Sequence, residues 1–386
     1  MAIAQEFRTW FWNEENWLIN MTWDDFETPP PGVYYPLERH ILLPSLIIGF
    51  ILLGIRVMYD RTVVVPYAKY MGLTFKKQYG VEKNPILEAA YAVEKWNDQK
   101  CTEELSKKTS LTERQIQRWF RHRRSQEMPG RMKKFRECSW LFLFYTSSFL
   151  FGLYILWDKP YFWDTKYCWI NTGKQHVPND VYWYYTIEMG FYWQLLFTLM
   201  SDVKRSDFPE MVAHHIVTII LIYFSFACNQ VRIGALVILL HDSNDVWMAA
   251  SKSINYLKKQ RLAEITFVVF ALMWFISKLY IYPFWIVWSA TFESQRYIEN
   301  VKRYPCYWFL NGLLWILQLL HIIWTVMIVG ILASKFTGDK KMRDVRSDTE
   351  DSTGVEDDDI AQETDINNTG AINGLSRRPQ TTGNRG

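Results

Sequence analysis

Cysteine and histidine are both scarce in this chain of 386 residues, which holds five of the first and seven of the second. Five cysteines are too few for a fold that depends on disulfide bonds. So few histidines cannot supply the several paired-histidine motifs of a membrane di-iron oxygenase. Residues 1–20 also lack the compact apolar core of a cleavable signal peptide. The first two absences exclude a disulfide-stabilised scaffold and a membrane di-iron oxygenase. The third means that any membrane targeting depends on later apolar segments.

Long apolar windows, in contrast, are abundant. Hydrophobic residues make up 49% of the chain and aromatic residues 17%, although the mean hydropathy is only −0.12 because a polar insert and a polar tail lower it. Windows of about 20 residues predict membrane spans at 41–59, 139–157, 182–200, 211–228, 231–250, 264–288 and 307–333. We therefore predict an all-α membrane protein in which about seven transmembrane helices form a bundle around a lipid cavity.

Charges flanking these spans predict their orientation. Residues 1–40 carry two arginines against seven carboxylates, whereas the segment after the first span is densely basic. Because basic loops favour the cytosolic side, we expect 1–40 to be a luminal N-terminal segment and 41–59 the first transmembrane helix, acting as signal anchor. The insert and the C-terminus are then cytosolic. Asn20, in the triplet Asn20-Met21-Thr22, becomes a predicted N-glycosylation site.

The polar insert at 76–128 contains "LTERQIQRWFRHRRSQE" at 111–127, which resembles the third helix of a homeodomain. Trp119 and Phe120 fall on its core face at helical spacing. His122 stands where homeodomains place an asparagine that reads adenine, and 85–127 looks too short for three full helices. The arginines of the helix have an alternative use at anionic lipid head groups. We therefore expect a small helical cytosolic domain that does not bind DNA.

Two clusters of ionisable residues interrupt the apolar spans, where such groups are costly. His214 and His215 open the fourth span, and His241, Asp242 and Asp245 close the fifth. The short connection makes these spans antiparallel neighbours, and a rise of about 1.5 Å per residue places both clusters in the cytosolic half of the bilayer. The residues allow three interpretations: a catalytic site, a structural hydrogen-bonded network or a zinc site.

Several motifs resemble those of the ceramide synthase family, whose membrane domain also occurs in translocation-associated and lipid-sensing proteins. The matching stretches are "WFWNEENWL" at 10–18, "YYTIE" at 184–188, "DVKRSDF" at 202–208, "HHIVT" at 214–218 and "CNQVRIGALVILLHDSND" at 228–245. The resemblance implies transfer of an acyl group from acyl-CoA to the 2-amino group of a sphingoid base, giving (dihydro)ceramide. The competing class is a non-enzymatic lipid-binding or lipid-sensing membrane protein with the same domain.

The resemblance also implies partners and a location. Acyl-CoA acts as a co-substrate, and neither a bound cofactor nor a metal is expected. The sphingoid base is the second substrate, and the endoplasmic reticulum bilayer is the setting. Pairing with itself or with other family members, as a homo- or heterodimer, is a further expectation.

For catalysis, the residues are consistent with His214 as the nucleophile. A neutral imidazole in a low dielectric attacks a thioester competently, so His214 would carry the acyl group as an acyl-imidazole. Asp242 or Asp245 would then accept the proton of the attacking amine, directly or through His215 or His241. A direct attack with a histidine as general base needs the same residues, so the sequence leaves both mechanisms open.

Other polar residues have predicted substrate roles. Lys204 and Arg205 would bind the phosphates of coenzyme A. Glu188 would either form a hydrogen bond within the bundle or guide the substrate amine. By resemblance to the family, the stretch from Phe292 to Pro305 would contribute to the choice of acyl length.

The remaining predictions concern the C-terminal two thirds of the chain. Residues 131–334 are predicted to form a six-helix acyltransferase membrane domain, in which His321 forms an interhelical hydrogen bond. Residues 335–386 are predicted to be an acidic, disordered cytosolic tail with Ser347 as an acidophilic-kinase site. Cys168 and Cys306 both fall in predicted luminal loops, where a disulfide between them can persist.

Overall fold

The computed structural model describes residues 10–19, 21–37, 39–75, 83–93, 99–127, 130–203 and 207–336. No strand occurs among these residues, so the described part of the chain is all-α as predicted. It falls into two compact units, a membrane unit drawn from 1–77 and 129–342 and a small unit drawn from 78–128. Asn20, Lys204, Arg205 and Ser347 lie outside the described residues, as does most of the predicted tail.

The longer helices are numbered in chain order across both units. They are α1 (Arg39–Tyr59), α2 (Pro85–Ala92), α3 (Gln99–Thr109), α4 (Glu113–Glu127), α5 (Arg131–Leu156), α6 (Asn179–Thr198), α7 (Phe208–Ala227), α8 (Val231–Tyr256), α9 (Gln260–Trp274) and α10 (Pro305–Phe336). Shorter helices lie at Glu14–Trp17, Trp23–Glu27, Val65–Tyr70, Pro160–Trp163 and Ser294–Tyr297. π-Helical segments lie at Asp60–Val64, Phe275–Val287 and Ser289–Glu293, and 3₁₀ turns at Thr165–Cys168 and Val301–Arg303.

Every predicted span coincides with a helix, but the helices differ in how apolar they are. Five of them are long and apolar enough to cross a membrane, at Arg39–Tyr70, Arg131–Leu156, Phe208–Ala227, Gln260–Tyr297 and Pro305–Ala333. The other two are α6, which is rich in tyrosine and tryptophan, and α8, which carries the His241 cluster. Within the bundle α8 packs against α5 and α9, and α6 packs against α1. That these two helices cross the membrane stays a prediction from the sequence.

Close approach between α6 and α1 depends on Gly190. A Cβ atom at this position would lie 2.6 Å from Cγ2 of Ile48 and 3.0 Å from the carbonyl oxygen of Ser45. Only a residue without a side chain therefore allows the two helices to meet here. Across the other face of α6, the rings of Phe191 and Phe144 stack with centroids 3.5 Å apart, which fixes α6 against α5.

The helix after α9 departs from regular α-helical geometry, which the hydropathy pattern did not predict. From Phe275 to Val287 the backbone is π-helical, and Pro283 lies within this segment. Proline has no N–H to donate, so it disturbs the hydrogen-bond ladder of a helix. π-Helical turns often occur at functional sites, and this one contains the buried Lys278.

The N-terminal segment docks on one end of the bundle. The ring of Trp17 stacks on Phe224 at the end of α7, with centroids 4.7 Å apart, and meets Phe309 at the start of α10 edge-on at 5.5 Å. Next along the chain, Thr22 and Asp25 form a capping box, in which the Thr22 amide and hydroxyl both donate to the Asp25 carboxylate. These hydrogen bonds hold the pKa of Asp25 below its usual value.

The described residues of the small unit, 83–93 and 99–127, form three helices, so the expectation that 85–127 is too short for them was wrong. The first of them, α2, has only eight residues, and the three helices pack around a core of Leu87, Leu105, Ile116, Trp119 and Phe120. Arg123, from the predicted basic face, donates to the Glu88 carboxylate over 3.0 Å and lies 5.1 Å from the centroid of the Tyr91 ring. Part of the basic face is therefore used within the unit itself.

Candidate functional site

Helices α7 and α8 bring the two predicted polar clusters together. The rings of His214 and His241 lie nearly parallel, with centroids 6.4 Å apart, and the ring of His215 lies 5.9 Å from that of His214. The Nδ1 atoms of His214 and His215 are both buried and have no hydrogen-bond partner among the described residues. Buried polar atoms in native proteins nearly always have a partner, so these two ring nitrogens are candidates for contact with a substrate.

His241 is held by the backbone and by a second imidazole. Its Nδ1 atom lies 2.7 Å from the carbonyl oxygen of Val237, and its Nε2 atom lies 3.2 Å from Nε2 of His321 on α10. A carbonyl only accepts, so Nδ1 of a neutral His241 carries the proton and its Nε2 accepts from His321. The sequence prediction that His321 forms an interhelical hydrogen bond is therefore confirmed, and its partner is His241.

Asp242 belongs to a buried group of two carboxyls and one hydroxyl that spans three helices. The Ser148 hydroxyl, on α5, lies 2.7 Å from Oδ2 of Asp242 and also contacts Oε1 of Glu188 on α6. One hydroxyl proton can be donated to only one of these carboxyls. Both contacts are satisfied when one carboxyl carries a proton of its own, so Asp242 and Glu188 act as a coupled pair. Of the two sequence predictions for Glu188, the structure shows a hydrogen bond within the bundle.

Asp245 has a different neighbour. It interacts electrostatically with Lys278, whose side chain is 1% exposed and whose charge also acts on Asp242. Lys278 was not among the residues predicted from the sequence. A lysine in the middle of the apolar run at 264–288 is nevertheless a signal, because such charges are rarely tolerated without a partner. Ser148 was also missed, and a single serine in an apolar span carries no comparable signal.

An elongated cavity begins at this polar group. It holds about 920 Å³ of empty volume, its opening included, and His241 and Asp242 line its polar end together with Tyr192. Most of the other lining side chains are apolar, and Ile298 and Val301 lie at the far end; the polar ones include Thr218, Ser225, Gln230, Ser294 and Asn311. Helices α7, α8 and α10 supply most of the wall. His214, His215 and Asp245 do not belong to the cavity wall, and His214 adjoins it through its ring contact with His241.

Only part of the stretch from Phe292 to Pro305, the predicted determinant of acyl length, lines the cavity. Phe292 is 54% exposed and does not line the cavity, and Pro305 begins α10. Between them, Ser294, Ile298 and Val301 do line it. The part of this stretch that touches the cavity is therefore narrower than the predicted range.

The sequence left open whether Cys168 and Cys306 pair, and in the structure no disulfide joins them. All five cysteines are free in the structure, and the thiol of Cys306 neighbours that of Cys228, the residue after α7. The sequence does not show which cysteine neighbours Cys306, because contacts across the bundle cannot be inferred from the positions of the loops along the chain. For the zinc interpretation, no group of three His, Cys, Asp or Glu side chains with metal-binding geometry occurs among the described residues.

Comparison with known proteins matches both units. A TLC domain model matches residues 134–330 and a homeodomain model matches residues 76–128. The chain is 41% identical to human ceramide synthase 5 over 350 residues, covering 90% of this chain and 88% of that protein. It is 38% identical to human ceramide synthase 4 over 94% of this chain and 91% of that protein. Ceramide synthase hyl-1 of Caenorhabditis elegans is 31% identical over 88% and 84% of the two chains.

The helical membrane unit and its domain match define a multi-pass membrane protein of the TLC class. The identity extends over about 90% of the chain and includes the homeodomain unit. The chain belongs to the ceramide synthase family.

Proposed function

We propose that this enzyme transfers the acyl group of acyl-CoA to the 2-amino group of a sphingoid base, by way of an acyl group carried on His214. Family membership supports an acyltransferase over the competing lipid sensor. The observation that carries the mechanism is the position of His214, whose Nδ1 is buried without a partner and whose ring lies 6.4 Å from that of His241 at the polar end of an apolar cavity.

In the first half-reaction, an unprotonated ring nitrogen of His214 attacks the thioester carbonyl. The bond between carbon and sulfur breaks, and coenzyme A leaves as its thiol with the proton that the imidazole gives up. The acyl group now forms an acyl-imidazole. His215 lies against His214, with ring centroids 5.9 Å apart, and we assign it the role of orienting the nucleophile.

In the second half-reaction, the sphingoid amine attacks the acyl-imidazole, an amide bond forms, and the imidazole regains a proton. Asp242 is better placed than Asp245 to accept the proton of the amine, because Asp242 lines the cavity and Asp245 does not. Glu188 and Ser148 share protons with Asp242 through their contacts, so the group can take up one proton without leaving an isolated charge. Two neighbouring pairs position the groups around Asp242. They are Asp245 with Lys278 and His241 with His321.

The acyl chain occupies the apolar cavity. Each methylene buried there contributes about 0.8 kcal/mol, and Ile298 and Val301 limit the length that fits. We retain Lys204 and Arg205 as the proposed contacts of the coenzyme A phosphates. We also retain an endoplasmic reticulum location with a luminal 1–40 segment and a cytosolic insert and C-terminus. On this topology Asn20 is the proposed glycosylation site and Ser347 a proposed phosphorylation site.

Steady-state kinetics of the purified chain test the proposal. Acyl-CoA and sphinganine should be converted to dihydroceramide with release of one coenzyme A thiol per product. A covalent route predicts parallel double-reciprocal lines when one substrate is varied at fixed levels of the other. Intersecting lines would favour a histidine general base acting on both bound substrates. Absence of product from folded protein would contradict the enzyme and favour a lipid sensor.

A further inference from the structure

A second cavity lies at the N-terminal end of α8, whereas Asp242 lies near the middle of this helix. It holds about 700 Å³ of empty volume, its opening included, and lies between the Pro160–Trp163 helix, the loop before α6 and the first turn of α8. Its wall includes Lys159, Tyr161, His176, Asn229 and Arg232. None of these residues takes part in the proposed acyl transfer.

Two buried polar atoms in this wall have no partner among the described residues. They are the hydroxyl of Tyr161, whose side chain is 5% exposed, and Oδ1 of Asn229, which is 1% exposed. The amide nitrogen of Asn229 is already used, since it donates to the carbonyl oxygens of Gly173 and Gln175. Buried orphans of this kind are costly unless something fills them. The Tyr161 hydroxyl needs a hydrogen-bond acceptor, and Oδ1 of Asn229 needs a donor.

Arg232 supplies positive charge to the same cavity. The guanidinium of Arg232 lies over the Tyr161 ring, 5.5 Å from its centroid, and its Nη1 donates to the Tyr167 carbonyl over 2.7 Å. Lys159 contacts Asp158 and Asp180 and lines the cavity as well. The side chain of Gln230 does not cap the N-terminus of α8, and a helix N-terminus favours anions.

His176 adds a further donor. Its Nδ1 accepts a hydrogen bond from the Tyr34 amide over 2.9 Å, so in the neutral ring the proton lies on Nε2. Burial raises the pKa of Tyr161 above its usual value, which keeps its hydroxyl protonated. The cavity therefore presents several donors and one acceptor, Oδ1 of Asn229.

From these observations we propose that the cavity binds a phosphomonoester group. Its oxygens accept from Arg232, Lys159 and Tyr161, and its singly protonated form also has the O–H that Asn229 requires. A carboxylate or a phosphodiester has no such proton. Exposed aromatic side chains lie nearby on α5, the Pro160–Trp163 helix and α6, namely Tyr154, Trp157, Trp163 and Trp183. Exposed aromatics of this kind mark a membrane interface, which favours a lipid head group as the source of the phosphate.

Native mass spectrometry of the full chain in detergent tests the proposal, with short-chain phosphatidic acid as the probe. The matching diacylglycerol lacks the phosphate, and the matching phosphatidylcholine lacks the O–H. We expect phosphatidic acid to bind more tightly than both. Inorganic phosphate that displaces the lipid at comparable concentration identifies free phosphate as the ligand, and failure to displace it identifies the head group.

Three variants localise the binding. Arg232→Gln should weaken phosphatidic acid binding roughly tenfold to a hundredfold, as expected for loss of a charged hydrogen-bond donor. Arg296→Gln is the matched control, because Arg296 stacks on Trp288 outside the cavity, and it should leave binding unchanged. Tyr161→Phe removes only an unpartnered hydroxyl, so it should weaken binding several-fold without lowering the melting temperature of the free protein. Equal binding of phosphatidic acid by the wild type and by Tyr161→Phe and Arg232→Gln would overturn the proposal and leave only water in the cavity.

Discussion

Arg123 of the small unit and His214 of the membrane unit are both polar side chains in helical surroundings, but their partners differ. Arg123 donates to Glu88 and stacks on Tyr91 within its own unit. In contrast, the Nδ1 atoms of His214 and His215 have no partner among the described residues, although both are buried. Satisfied polar groups stabilise a fold, whereas buried groups without partners are kept at a cost, which points to chemistry.

The largest effect is expected from removing the imidazole of His214. His214→Ala should lower turnover by roughly 10²- to 10⁴-fold, because it removes the proposed nucleophile, and His241, the imidazole of the cavity wall, is held by Val237 and His321. Turnover by the purified variant is the measurement. His122→Ala, in the small unit, is the matched control and should retain wild-type activity. If His214→Ala retains activity, His214 is a structural residue like Arg123.

Stability should respond next to the loss of the buried cation. Lys278→Met removes the buried charge that acts most strongly on Asp245. Because the two side chains interact electrostatically without a direct ion pair, the free energy of unfolding should fall by roughly 1–3 kcal/mol. Thermal unfolding in detergent measures the change, and the exposed Lys174→Met is the control. Adding Asp245→Asn to Lys278→Met should recover much of the loss. No recovery would show that Lys278 does not act through Asp245.

A smaller effect should follow from shortening the apolar end of the cavity. Val301→Phe places a larger side chain at that end, so the preferred acyl chain should become shorter, by roughly fourfold in relative rate per methylene excluded. Competition between acyl-CoA chain lengths gives this ratio. Phe292→Leu alters an exposed residue of the same stretch and should leave the preference unchanged. The opposite pattern would place the acyl chain elsewhere.

The smallest effect is expected in the small unit. The Arg123 and Glu88 side chains are 23% and 39% exposed, and exposed ion pairs contribute at most about 1 kcal/mol. Arg123→Gln should therefore lower the stability of the chain slightly and leave acyl transfer intact, as thermal unfolding and turnover will show. A loss of activity comparable to that of His214→Ala would remove the distinction between the units.

Much of this arrangement follows from the sequence because it depends on periodicity and on neighbouring spans. The apolar windows located the helices, and the short connection between α7 and α8 correctly implied that His214 approaches His241. Contacts between spans that lie far apart along the chain could not be predicted from the sequence. The Ser148 contact with Asp242 joins residues on α5 and α8, and the neighbour of Cys306 is Cys228 rather than Cys168. Such pairs depend on how helices are rotated and packed, which hydropathy does not encode.

The most direct test of the central claim is the mass of the intact protein after incubation with acyl-CoA and no sphingoid base. The account predicts that one acyl group is added to the wild type, that one equivalent of coenzyme A is released, and that His214→Ala shows neither. Asp242→Asn should accumulate the adduct, because proton removal from the amine belongs to the second half-reaction. An unchanged mass in an active preparation would contradict the acyl-enzyme and make the histidines general bases in a ternary complex.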